Sequence, residues 1–250
     1  MSVKTFYQKP WVKETVALIL NSIMAGFVLS MAVVAAIFAP SFYDTKFVKA
    51  FIFSFGLLVI ILFEFKLLTG MIAVAPYTPA KKWWQLAVCL VFNTVGGWIG
   101  SLIAQGAFGD KVINSAKASV NAKLFLADGV TNISAGSMFL SAILCGMCIT
   151  IAVLGCRAAK DKNFSATFLV VLPIMVFILC GFEHSIANII YVLMADMAWT
   201  GDIWVLIAMS ILGNLVGGLI IPVLKLVERK KYLPAPAAAP SAPVVDENKK

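Results

Sequence analysis

Charge is the first thing this chain lacks. Of its 250 residues 13% are Asp, Glu, Lys or Arg, where soluble domains carry about 25%. Histidine occurs once, at His184, and there is no HExxH, GxSxG or phosphate-binding glycine loop. A nucleophile with a paired base and an ATP-driven pump are therefore not expected. The chain should not be an enzyme, and it should need no cofactor and no metal. The five cysteines (Cys89, Cys145, Cys148, Cys156 and Cys180) all fall in apolar runs, and Cys145 and Cys148 form an isolated CxxC. With no second pair and no histidine cluster, they read as buried apolar filler. What remains is 61% hydrophobic with a mean hydropathy of +0.96. That much apolar surface does not fit inside a water-soluble core of this size. A dinucleotide-binding enzyme, a nucleic-acid module and a secreted disulfide scaffold are excluded.

Long apolar runs are what the chain has instead. A crossing helix needs about 20 such residues. Four charge-free runs qualify: Thr15–Ala39, Trp83–Phe108, Ala135–Cys156 and Ile203–Leu224. Two more carry charges, Ala50–Tyr77 with Glu64 and Lys66, and Phe164–Trp199 with Glu183 and His184. The runs are continuous rather than alternating, so six transmembrane helices are predicted and no strands. The first apolar run is too long for a signal peptide and reads as a retained helix. Fourteen of the 20 Lys and Arg residues flank one side of this arrangement. Five (Lys46, Lys49, Lys111, Lys117 and Lys123) lie in loops on the other, and Lys66 sits inside a span. The bias predicts a multi-pass cell-membrane protein with both termini cytoplasmic, and it explains the net charge of +8. Residues 1–13 read as a cytoplasmic N-terminal segment, 14–229 as the membrane domain and 230–250 as a disordered Pro/Ala-rich tail.

The chain partly matches itself at a shift of about 120 residues, a spacing that suggests an internal duplication. Asn93, Gly96 and Gly97 of the third span recur as Asn214, Gly217 and Gly218 of the sixth, and Gly26 of the first aligns with Gly146 of the fourth. Three spans per repeat is an odd number, so the halves must be inverted. In such folds paired interrupted helices mark the transport pathway. The interruptions read as Leu68-Thr69-Gly70 in the second span and Cys180 to Ser185 in the fifth.

Lys66, Glu64, Glu183 and His184 are ionisable residues deep in spans, and such residues are functional by default. Lys66 either pairs with Glu64 or Glu183, or faces a pore as a free cation. Thr69, beside a break, either bonds back to its own helix or meets substrate.

The octapeptide Gly181-Phe182-Glu183-His184-Ser185-Ile186-Ala187-Asn188 resembles the signature of the formate/nitrite transporter family, and Leu67-Leu68-Thr69-Gly70 resembles that family's second-helix loop. The resemblance implies an aquaporin-like six-helix protomer with an inverted 3+3 repeat, broken helices 2 and 5, and one pore in each protomer of a homopentamer in the lipid bilayer. It implies passage of small weak-acid anions such as formate, nitrite, hydrosulfide, lactate or acetate, with no nucleic-acid partner. His184, Thr69 and Asn188 would line the pathway. Phe53 with Leu57 would form the cytoplasmic constriction, and Leu67 with Phe177 the periplasmic one. Two positions depart from the family pattern. Lys66 stands where a glutamate is usual, and Gly146 stands where the fourth span usually has asparagine. The lysine usual sixteen residues before that asparagine would fall at Val130, with Lys123 the nearest basic residue, in a loop. Lys66 is therefore expected to supply the missing positive potential.

These readings converge on transport of a formate-class anion, with a proton relayed through His184. The rivals are a neutral-solute pore of aquaporin type, which lacks paired Asn-Pro-Ala motifs here, a hydrosulfide- or nitrite-selective channel, and a non-transporting membrane interaction protein.

Overall fold

Apolar runs of this length must satisfy every backbone N–H and C=O within the segment, and this chain does so as helices. The computed structural model describes residues 9–39, 46–126, 129, 132–159 and 164–232. The first eight residues and the tail from 233 onward, part of the expected terminal segments, lie outside the described residues, as does Val130. Four unbroken helices are long and apolar enough to cross a membrane: α1 (Pro10–Phe38), α4 (Trp84–Phe108), α6 (Ala135–Ala158) and α9 (Gly201–Tyr232). Two further helices, α7 (Phe164–Cys180) and α8 (Ser185–Ala195), are long and apolar enough only when taken together, and they are bent by 57° at the break between them. The run expected as the second span divides into α2 (Lys46–Leu62) and α3 (Leu68–Val74). Neither piece is long enough to cross alone, so six crossings are not established by length.

Proline at the first helical position starts α1 at Pro10, and α9 continues to Tyr232. One boundary differs from expectation. The break in the second run covers residues 63–67, so Leu68, Thr69 and Gly70 open the new helix rather than interrupt the old one. The stretch holding Lys111, Lys117 and Lys123 is not loop but helix α5 (Asp110–Leu124). Val112, Ala116, Val120 and Leu124 recur every fourth residue and are all buried, giving α5 one apolar face that packs on α8. Its first turn is held by Lys111, whose ammonium lies 4.8 Å from the ring centre of Phe38.

The internal repeat is written in the backbone. Glu64 (φ 57°) and Gly181 (φ 70°) take the left-handed conformation just after α2 and α7. In each case the next residue reaches back five positions, Phe65 N–H to Ile60 O and Phe182 N–H to Phe177 O, both at 2.9 Å. The left-handed residue itself bonds three positions back, at 3.2 Å both times. These are paired Schellman stops, which satisfy the last carbonyls of a helix before the chain changes direction. Helices α1 and α4 approach closely because a Cβ on Gly26 or Gly96 would strike the carbonyl of Asn93 or Ile23. In the second half a Cβ on Gly146 or Gly217 would strike the carbonyl of Asn214 or Ile143, so α6 and α9 meet in the same way.

Candidate functional site

Two asparagines hold the broken helices open. Asn93 accepts the N–H of Leu68 at 2.8 Å and donates to the carbonyls of Lys66 and Ser22, each at 2.8 Å. Asn214 repeats the pattern, accepting the N–H of Ser185 at 2.8 Å and donating to Glu183 O at 2.8 Å and Ala142 O at 2.9 Å. Each amide satisfies a donor at the start of the new half-helix and two carbonyls, which irregular backbone at this depth requires. The repeat was legible in the sequence as an Asn-Gly-Gly match, but this capping role was not. By the same pattern Lys66 and Glu183 occupy equivalent places in the two halves, one basic and one acidic.

His184 caps α8, its Nδ1 accepting the N–H of Ala187 at 3.1 Å. An accepting Nδ1 carries no proton, so the neutral ring holds its hydrogen on Nε2, which lies 3.2 Å from the Thr69 hydroxyl. The two broken helices thus meet at this contact, and both residues are buried. Thr69 is bonded across the molecule rather than back into its own helix. The Phe177 ring stacks on the imidazole at 5.8 Å, and Phe53 meets Phe177 edge-on at 5.9 Å.

That geometry corrects the expected grouping of apolar residues. Phe53 pairs with Phe177, while Leu57 and Leu67 both line one cavity, away from the face that carries α5. The reason is helical rise. Phe53 and Leu57 are one turn apart on α2, about 6 Å in depth, so they share a face but not a level.

The charges are also rearranged. Glu183 is buried and accepts from Lys123 Nζ and Asn188 Nδ2, both at 2.7 Å, and Asn188 also donates to Ser210 at 2.8 Å. Lys66 pairs with neither Glu183 nor Glu64 among the described residues. Of the two expected readings of Lys66, the pairing one is therefore not met among the described residues. The partner of Glu183 is Lys123, because the expected loop is a helix that delivers it. Its signal was the four-residue spacing of Val112, Ala116, Val120 and Leu124. Two residues singled out in the sequence, Gly146 and Glu64, do not join the histidine. Gly146 lies in the close α6–α9 contact, and Glu64 is exposed at the edge of the cavity.

Residues 4–227 match the family described as Formate/nitrite transporter. The chain is 28% identical over 181 residues to the uncharacterized transporter YrhG of Bacillus subtilis (strain 168), covering 68% of this chain and 66% of that protein, just under two thirds of its length. Two solved structures are similar in fold. One is a pentameric formate channel with formate bound, with a TM-score of 0.73 and 21% identity over 88% of this chain and 98% of that one. The other is an FNT family ion channel, with a TM-score of 0.71 and 19% identity over 85% and 90% of the two chains.

Proposed function

Since the chain belongs to the formate/nitrite transporter family, a multi-pass membrane family and not one of enzymes, we propose that it carries small monovalent weak-acid anions of the formate class across the cell membrane, with a proton. Each protomer of a homopentamer holds one pore, formed by six crossings once α2 with α3 counts as one. Both termini are cytoplasmic in this reading, which the lysine and arginine bias supports. The observation that carries this reading is the His184–Thr69 contact, formed where two broken helices meet and set beside apolar side chains.

The mechanism follows from dielectric arithmetic. An anion is costly in a dry pore, and the same low dielectric raises the pKa of a weak acid. Lys66, unpaired among the described residues, draws the anion inward, while Lys123 neutralises Glu183 so that the buried carboxylate does not repel it. Phe53 with Phe177, and Leu57 with Leu67, form the two constrictions. At the centre the Nε2–H of His184 and the Thr69 hydroxyl face the anion as donors, and the acid crosses the apolar rings once it has taken a proton from water in the vestibule, the proton travelling on with it as the neutral acid. Asn188 holds the Glu183 carboxylate in place beside Lys123. Nitrite, hydrosulfide and acetate share the charge and acidity on which this route depends.

The test is formate flux into proteoliposomes with an internal pH dye, alongside nitrite, hydrosulfide, acetate, glycerol and water. His184→Phe and His184→Asn are compared, because asparagine keeps the helix cap and loses the imidazole. Each variant lacks one donor to an anion, about 1.5–3 kcal/mol, so formate flux should fall roughly 10- to 100-fold with the oligomer intact. Undiminished flux and pH response in a folded His184→Phe variant would remove the histidine from the pathway. Glycerol or water flux without formate flux would replace the anion reading with a neutral-solute pore.

A further inference from the structure

A cavity of ≈ 330 Å³ lies on the side away from α5, bounded by α2, α3 and α6. It stops short of Thr69 and His184. Its wall is mainly aliphatic, including Leu57, Ile60 and Val153, and three charged residues also line it, Lys66, Arg157 and Glu64. Two cations against one carboxylate leave an excess of positive charge. Among the described residues none of the three is in an ion pair.

Lys66 is the better placed of the two cations. It is half-buried, and its backbone is fixed on both sides. The N–H donates to Asn21 O at 3.2 Å, and the carbonyl accepts from Asn93 Nδ2 at 2.8 Å and from the Cys89 thiol at 3.1 Å. An unpaired ammonium on a rigid root, in a partly dry wall, attracts an anion more strongly than a surface lysine does. The volume is at the lower end of the roughly 300–1,000 Å³ typical of small-molecule sites, more than a one-carbon acid fills. Charge at the rim with aliphatic wall behind it suits an anion bearing a short alkyl chain.

We propose that this vestibule is a binding site for short-chain alkyl anions, with the anionic head on Lys66 and Arg157 and the chain along Leu57, Ile60 and Val153. An occupant of that kind plugs the pathway from one side only. The plugging rests on the transport reading above, whereas the binding does not.

The probe is 1-hexanesulfonate, which stays charged and does not cross the bilayer as a neutral acid. It is sealed inside or added outside vesicles of single orientation, and formate flux is followed. Block from the Arg157 side alone is expected, with methanesulfonate much weaker because it has no chain to bury. Losing one charge-assisted contact should raise the half-blocking concentration about tenfold in Lys66→Met, and similarly in Arg157→Gln, which serves if the first variant does not assemble. Calorimetric titration of the full chain in nanodiscs with 1-hexanesulfonate reads the same site without any flux. Equal block from both faces, equal potency of the two sulfonates, or binding unchanged in both variants would overturn the proposal. Absent formate flux with intact, Lys66-dependent sulfonate binding would count against the transport reading and leave the site standing.

Discussion

A carboxylate inside an apolar bundle has to be compensated, and Glu183 is compensated twice, by the Lys123 ammonium and the Asn188 amide. Removing one partner of a buried pair is far more costly than removing both, because a lone charge is left behind. Lys123→Met should therefore destabilise the protein by about 3–5 kcal/mol, and adding Glu183→Gln should recover a large part of that loss. Thermal melting of the oligomer for the two single variants and the double variant checks this. Equal melting of Lys123→Met and the parent chain would show that the pair contributes nothing. At this scale the sequence was only partly legible. His184 and Glu183 stood out because ionisable residues are rare in the apolar runs, Thr69 because it lies beside a break, and Asn188 through the family resemblance alone. Lys123 did not, being one lysine among several in a stretch read as loop. Its importance depends on a contact across 60 residues, which local pattern does not encode.

Elements show a different kind of legibility. The fifth-span break was visible because a glycine occupies its left-handed position, Gly181. The second-span break was placed too late because Gly70 drew attention, while the left-handed position is held by Glu64. A non-glycine residue there costs about 1–2 kcal/mol. Opposite outcomes are therefore expected from two small changes. Glu64→Gly should stabilise by up to about 1 kcal/mol, part of the gain being offset by the greater freedom of glycine when unfolded. Gly181→Ala should destabilise by about 1–2 kcal/mol. Denaturant melts of both variants give the signs, and a destabilised Glu64→Gly would mean that the carboxylate has a structural partner outweighing the strain.

For the whole molecule, composition alone settled the class, and run length settled most of the crossings. It could not reveal that α2 and α3 are each too short to cross alone, because apolar composition continues through the break between them. The proposed apolar filter belongs to this scale too, since Phe53 and Phe177 come from opposite halves and meet only in the finished bundle. Phe177→Ala should widen that meeting point and raise the lactate-to-formate uptake ratio about tenfold, the discrimination that a tight apolar pocket exerts on an added carbon. Paired uptake assays measure it, and an unchanged ratio would place size selection elsewhere. The exchange between halves extends to the short helices. Ile190 of α8 seats on Gly97 of α4, and Ile72 of α3 seats on Gly218 of α9. A chain made from its N-terminus threads α3 into the membrane long before the ribosome has produced Gly218. The first repeat, which ends with α4, consequently waits unfinished while the chain from Gly109 to Gly218 is made, and both repeats lock only as the last helix arrives.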